Sequence, residues 1–199
     1  MTRPRASGSN GSGEGELQFR AHAADHGFQS IAARGFAARH VSNCACPFSA
    51  TTPAFVEACI GRNVHYLDIT GEVPVFPRCH AQDRCARAAS VMLCPSACFD
   101  IVPTDCLAAR LKEKLPDADR IDIAFSFCTR PSIGTIKTEI EGAAGGGLVS
   151  ENHRLATTPQ AHAIRRIPFR GKTGWAVSFP GGEVFTSGIP TGVPSGMVF

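Results

Sequence analysis

The amino-acid sequence predicts a mixed α/β protein, a parallel sheet of strand–helix–strand units followed by a region of α+β character. Three observations carry this. Short β-rich runs at 41–45, 64–69 and 91–94 are separated by segments with helical spacing, the order of βαβ connections. The connections between them are short. After Pro116 the pattern changes to strict alternation, with Ile121, Ile123, Phe125 and Phe127 on one face, as in a half-buried strand of an antiparallel or mixed sheet.

Taken in order, residues 1–15 are rich in Gly, Ser and Arg and read as flexible. Residues 17–26 read as a short helix ended by Gly27. A strand ends near 41–45 and turns at Pro47. Thr52 and Pro53 open a helix that runs to Ile60 and closes at Gly61, proline in the first turn and glycine past the end. The run 64–69 is a strand bounded by Gly61 and Gly71. A helix is expected over about 75–89, with Val75, Phe76, Cys79, Ala86 and Ala89 near helical spacing. Residues 91–94 form a buried strand. The next helix, 104–115, starts at a Pro103-Thr104-Asp105 cap and stops before Pro116. Beyond it come a strand over 120–127, a helix over 134–144 broken by three glycines, and short strands near 164–169 and 175–179. The expected organisation is a poorly defined start (1–40), the βαβ part (41–115) and a partial α+β domain (116–199).

Composition narrows the function classes. An apolar fraction of 43% and a charged fraction of 19% are those of a globular chain. A net charge of +3, with both signs mixed, offers no nucleic-acid footprint. No apolar stretch approaches the roughly 18 residues of a membrane span. The start has no apolar core for a secretory signal, and Glu14 and Glu16 argue against a transit peptide, so the expected location is the cytoplasm. Nine cysteines, an odd number without a secretion signal, read as reduced and buried thiols rather than a disulfide framework.

A parallel sheet places its chemistry at the carboxyl ends of the strands, which directs attention to three segments. These are Asn43-Cys44-Ala45-Cys46-Pro47-Phe48, then His65-Tyr66-Leu67-Asp68-Ile69-Thr70-Gly71-Glu72, then Phe99-Asp100-Ile101-Val102-Pro103-Thr104-Asp105. A small-residue turn after a strand lets backbone approach a flat ring, with Asn43 supplying an amide and Pro47 fixing the turn; equally, both residues serve a plain strand-to-helix turn. Asp68, Thr70 and Glu72 cluster at a strand end, where an acid/base pair would need one carboxyl with a raised pKa. The alternative is that Thr70-Gly71-Glu72 caps the next helix and Asp68 binds backbone amides. Thr104 or Asp105 most simply caps the following helix, which leaves Asp100 as the better functional candidate of that group.

These segments resemble the saccharopine-dehydrogenase-like oxidoreductases, a family that includes the trans-acting enoyl reductases of lipid synthesis. The family pattern reads Asn-Cys-Ala-Gly-Pro-Phe, His-Tyr-x-Asp-Ile-Thr-Gly-Glu and Gly-Phe-Asp-x-Val-Pro-Thr-Asp. The resemblance continues through Gly134-Thr135-Ile136-Lys137-Thr138 to Ser187-Gly188-Ile189-Pro190, covering about residues 41–190. It implies an incomplete Rossmann-type sheet, followed by part of an α+β domain that closes over a small-molecule substrate. It also implies hydride transfer with NADP or NAD. Asn43, Ala45, Pro47 and Phe48 would lie along the cofactor, with Tyr66, Asp68, Thr70, Glu72 and Asp100 on the substrate side. No catalytic residue is assigned.

The sequence departs from the family in two ways. Cys46, Ser96 and Cys98 stand where the family has glycine, and a side chain is costly where backbone needs positive φ or must touch a ligand. At the front, Gly8, Gly11, Gly13 and Gly15 read as remnants of a phosphate-binding turn without the apolar strand that should precede it. The eight residues between Arg34 and Asn43 cannot hold the further strand and helix the family places there. Arg34 itself stands where a 2′-phosphate could be met, or is a solvated surface residue. The alternative function is therefore a non-catalytic, truncated or degenerate member that no longer binds cofactor. Its unpaired sheet edge would favour homo-oligomers and marginal stability. A third reading, zinc or redox chemistry, rests on Cys94-x-x-x-Cys98, the one pair that approaches zinc-ligand spacing; packed thiols are the plainer reading, and no metal ligand is assigned. No nucleophile elbow or zinc-protease helix is present.

Overall fold

Three short strands, β1 (His40–Asn43), β2 (His65–Asp68) and β3 (Leu93–Cys94), with Val41, Tyr66, Leu67 and Leu93 as their large apolar residues, pair in parallel in the order β1-β2-β3. The chain is thus mixed α/β, as its sequence predicts. The structure, a computed structural model, describes residues 39–126, 136, 140 and 142–199, all within the unit Phe36–Phe199. The glycines at 8–15, the helix at 17–26, Arg34, Phe127 and most of the helix expected over 134–144 lie outside the described residues.

Helix α1 (Phe48–Gly61) joins β1 to β2. It begins four residues before Thr52, so Pro53 lies inside it rather than opening it. The helix closes beyond Gly61, where Asn63 takes a left-handed φ of 56°, a conformation asparagine adopts more readily than most side chains. The expected helix 75–89 is two helices, α2 (Val75–Ala81) and α3 (Asp83–Ala88), separated at Gln82, whose N–H bonds Cys79 at the tighter three-residue spacing. Val56, Cys59, Val64, Tyr66, Val75 and Cys79 form the core between sheet and helices.

Helix α4 (Val102–Lys114) carries Pro103 in its first turn and has no side-chain cap, so neither Thr104 nor Asp105 plays the capping role expected of it. A second sheet combines β4 (Arg120–Ile123), β5 (Gly147–Glu151), β6 (Arg154–Thr158) and β9 (Ser195–Val198) in the order β4-β9-β5-β6. A separate antiparallel hairpin joins β7 (Ile164–Phe169) to β8 (Lys172–Val177). Two single-turn helices, α5 (Glu183–Thr186) and α6 (Gly188–Thr191), precede β9. The sequence pointed to strands near 164–169 and 175–179, where β7 matches and β8 starts three residues earlier, but not to their pairing, to the β5–β6 hairpin or to β9. The strand β9 pairs in parallel with β4, and a Cβ at Gly196 would collide with the Ile121 carbonyl oxygen. That close approach is the physical reason for the glycine. Val149, Ala176, Met197 and Phe199 form the core of this half.

Candidate functional site

Parallel register sets Asn43 beside Asp68 at the carboxyl ends of β1 and β2. Both side chains are buried and share a network with Tyr66 and Thr52. The Tyr66 hydroxyl donates to Asp68 Oδ2 at 2.7 Å, while Asn43 Nδ2 donates to the phenolic oxygen at 3.3 Å and to Thr51 Oγ1 at 3.0 Å. Thr52 Oγ1 lies 3.0 Å from the same phenolic oxygen. Burial first, and then the bond to Asp68, push the Tyr66 hydroxyl far above its ordinary range, so it stays a neutral donor. The other oxygen of Asp68 accepts the backbone N–H of Thr70 at 3.0 Å and of Ser96 at 2.7 Å. One carboxylate thus ties the β2 turn to the β3 turn, the amide-binding role read for Asp68 from sequence.

Glu72 does something the sequence reading did not foresee. Its two oxygens accept the first amides of α1, Phe48 N–H and Ser49 N–H, each at 2.7 Å. It therefore caps the preceding helix from across the sheet, not the following one, and its charge sits where the α1 dipole favours an anion. Thr70 is buried, and its hydroxyl accepts the Glu72 N–H at 3.0 Å, which sets that carboxylate in place.

The loop after β1 rests on this network. Asn43 Oδ1 accepts the Ala45 N–H at 3.0 Å and Thr51 Oγ1 donates to the Ala45 carbonyl at 2.8 Å. Phe48 is buried in the core and Pro47, joined to Cys46 by a cis peptide bond, is half-buried. Cys44, Ala45 and Cys46 are exposed. Cys46 keeps an ordinary negative φ, so its side chain imposes no backbone strain. Ser96, by contrast, is buried at φ 60°, the left-handed conformation for which the glycine of the family pattern is suited.

Asp100 stands apart from this network and belongs to a second group of carboxyls. Helices α4 and α5 are linked reciprocally: Thr104 Oγ1 donates to Glu183 Oε1 at 3.2 Å and Thr186 Oγ1 donates to Asp105 Oδ1 at 3.0 Å. Burial raises Glu183 to about 7, with the negative charges of Asp100 and Asp105 adding to it and the Thr104 bond opposing. Burial likewise raises Asp105 to about 6 against the opposing Thr186 bond. Asp105 opens onto a cavity of about 710 Å³ bounded by Leu93, Cys94, Ser96, Ile101 and Phe185. Its carboxyl thus lies nearer neutral pH than an ordinary aspartate, the raised value that the acid/base alternative would require of Asp68 or Glu72. Glu183 gave no sequence signal, because its partner Thr104 lies 79 residues away.

The thiols are not the buried set expected. Cys59 and Cys79 are buried, and burial pushes them up to about 11 and about 12. Cys44, Cys46, Cys85 and Cys106 are exposed, since each sits on a loop or on the outward face of a helix. Among the described residues no three His, Cys, Asp or Glu side chains converge to hold a metal, and no helix is long and apolar enough to cross a membrane. No model of a known protein family matches the chain, and no curated protein matches it.

Proposed function

We propose that the chain is a saccharopine-dehydrogenase-like oxidoreductase whose loop 43–48 carries the nicotinamide end of NADP or NAD against a small-molecule substrate. One observation supports this above others. The loop lies at the carboxyl end of a parallel sheet, is held from below by Asn43, Thr51 and Glu72, and leaves Ala45 open above. A flat ring needs such a surface, rigid and with small side chains, because each ångström of misplacement costs rate. Bound there, the cofactor supplies hydride transfer and the protein supplies position and shelter from water.

The described residues suit the ring end of the cofactor and not its phosphates. The α1 amides that could meet an anion are taken by Glu72. The glycines expected to cradle the pyrophosphate lie outside the described residues. The roles assigned are therefore positional: Asn43 and Glu72 shape the loop, and Asp68 and Tyr66 hold its base. Titration with NADPH and with NADH, followed by nicotinamide fluorescence, tests the reading. Saturable binding is expected, weakened about tenfold or more in Ala45→Leu, whose added bulk stands on the open face. Binding indifferent to Ala45→Leu contradicts the placement.

A second reading, a non-catalytic α/β module, is favoured by the way Asn43, Tyr66, Asp68 and Thr70 direct their polar atoms at one another. A folded sample that binds neither cofactor supports that reading and overturns the first.

A further inference from the structure

The β7–β8 hairpin has two unlike faces. Its register pairs Ile164 with Val177, Arg166 with Trp175 and Pro168 with Thr173 on one side. Alternation puts Arg165, Ile167, Phe169 and Ala176 on the other. The second side is the inner one. Ala176 is buried and Ile167 packs on the core of the second sheet, while Arg165 is committed to Asp122 at 2.6 Å and lies over the Phe199 ring.

The first side faces outward, and it is apolar. Trp175 is 74% exposed, Ile164 60% and Val177 45%. A lone exposed apolar residue means little, but three on one hairpin face, with Pro168 beside them, form a patch that asks for a partner. Cations flank it. The Arg166 guanidinium, on the same side, stands 5.8 Å from the centre of the Trp175 ring, and Arg170 is exposed in the turn; Lys172, also exposed, sits opposite Phe169 at the rim of the other side. From 152 to 182 the sequence contains no Asp or Glu at all, so no acidic side chain of that stretch offsets them.

We infer that this face docks on an anionic lipid bilayer surface. Charge complementarity selects an anionic partner. The make-up of the patch selects lipid: aliphatic Ile164 and Val177 suit acyl chains, an indole with a cation at its side suits the headgroup level, and Arg and Lys suit anionic headgroups. A single-stranded nucleic acid would be met by several stacking aromatics, and this face has one. The attachment is peripheral, since a six-residue hairpin strand is too short to span a bilayer.

Trp175 is the only tryptophan of the chain, so the native protein reports on its own contact. Phosphatidylcholine vesicles with and without phosphatidylserine are titrated in, and Trp175 emission is followed. The expected result is a blue shift with the anionic vesicles, quenching by brominated acyl chains, and reversal by salt. In co-sedimentation, Arg166→Ala/Arg170→Ala is expected to lose about 25-fold in vesicle partitioning, at roughly fivefold per cation, and Trp175→Ala about tenfold. All three residues are exposed, so far-ultraviolet circular dichroism should confirm an unchanged fold. The inference is overturned by an unmoved emission spectrum, by equal binding to neutral vesicles, or by vesicle binding that survives both variants. Quenching by a single-stranded oligonucleotide without any vesicle response overturns it too.

Discussion

Asp68 accepts two backbone amides, a phenol and, more weakly at 3.4 Å, the Thr52 hydroxyl, all buried, so removing its carboxylate takes the acceptor from four donors at once. Asp68→Ala is expected to cost about 3–5 kcal/mol in urea unfolding, at roughly 1–3 kcal/mol for each unsatisfied group less what relaxation recovers. A loss under about 1 kcal/mol would mean the network does not hold the strand ends. Ser96→Gly is expected to stabilise by about 0.5–1 kcal/mol, as the relief of a left-handed serine outweighs the entropy glycine adds to the unfolded chain. Glu183 has a pH signature. Its folded value of about 7 lies above its ordinary 4.5, so the folded state holds the proton more tightly. Stability is therefore full below about pH 4.5, declines through the window to about 7 and stays low above it. Glu183→Gln keeps an acceptor for Thr104 and removes the charge. It is expected to unfold about 1–3 kcal/mol later than the parent at pH 8 and no later at pH 4. At this scale the sequence was legible where partners are local, as for Asp68 and the Thr70 N–H two residues on; the cap expected of Thr70 on the next helix is absent. The sequence was silent where partners are distant, as for Glu183.

Elements were legible wherever periodicity and turn residues agree, and less so where tertiary contacts decide. The three parallel strands and the end of α4 before Pro116 follow from local signals. The start of α1 does not, because its cap comes from Glu72, 24 residues downstream of Phe48. Glu72→Ala is expected to cost about 1–2 kcal/mol and to raise amide exchange in the first turn of α1 more than elsewhere. Unchanged exchange there would show that the cap is dispensable. Strand β9 is short and holds Gly196, a poor strand former in isolation, so only its seat between β4 and β5 reveals it. Where α5 meets α2 and α4, Gly182 leaves no room. A Cβ would stand 2.8 Å from Ile101 Cδ1 and 2.9 Å from the Phe76 ring. Gly182→Ala is therefore expected to loosen α5 and lower the melting temperature, together with the Glu183 and Asp105 pKa values as both carboxyls gain water.

For the whole molecule, the described residues give neither β1 nor β3 a second strand partner, and α4 turns Leu107 and Leu111 outward. Open edges and apolar helix faces favour association, so sedimentation velocity is expected to show concentration-dependent self-association. The α/β class was readable from the sequence because strand order and connection length are local. The proposed function rests on a resemblance, because the residues that would carry it also build the scaffold. Among the described residues, four exposed thiols allow that resemblance to be tested in place. Cys44 and Cys46 flank Ala45 on the proposed cofactor loop, whereas Cys85 and Cys106 lie on α3 and α4. Alkylation rates of the four, read by peptide mass spectrometry with and without NADPH, locate the cofactor directly. Selective slowing at Cys44 and Cys46, with Cys85 and Cys106 unchanged, is the expected result. Four unchanged rates at saturating NADPH would contradict a cofactor on the β1 loop.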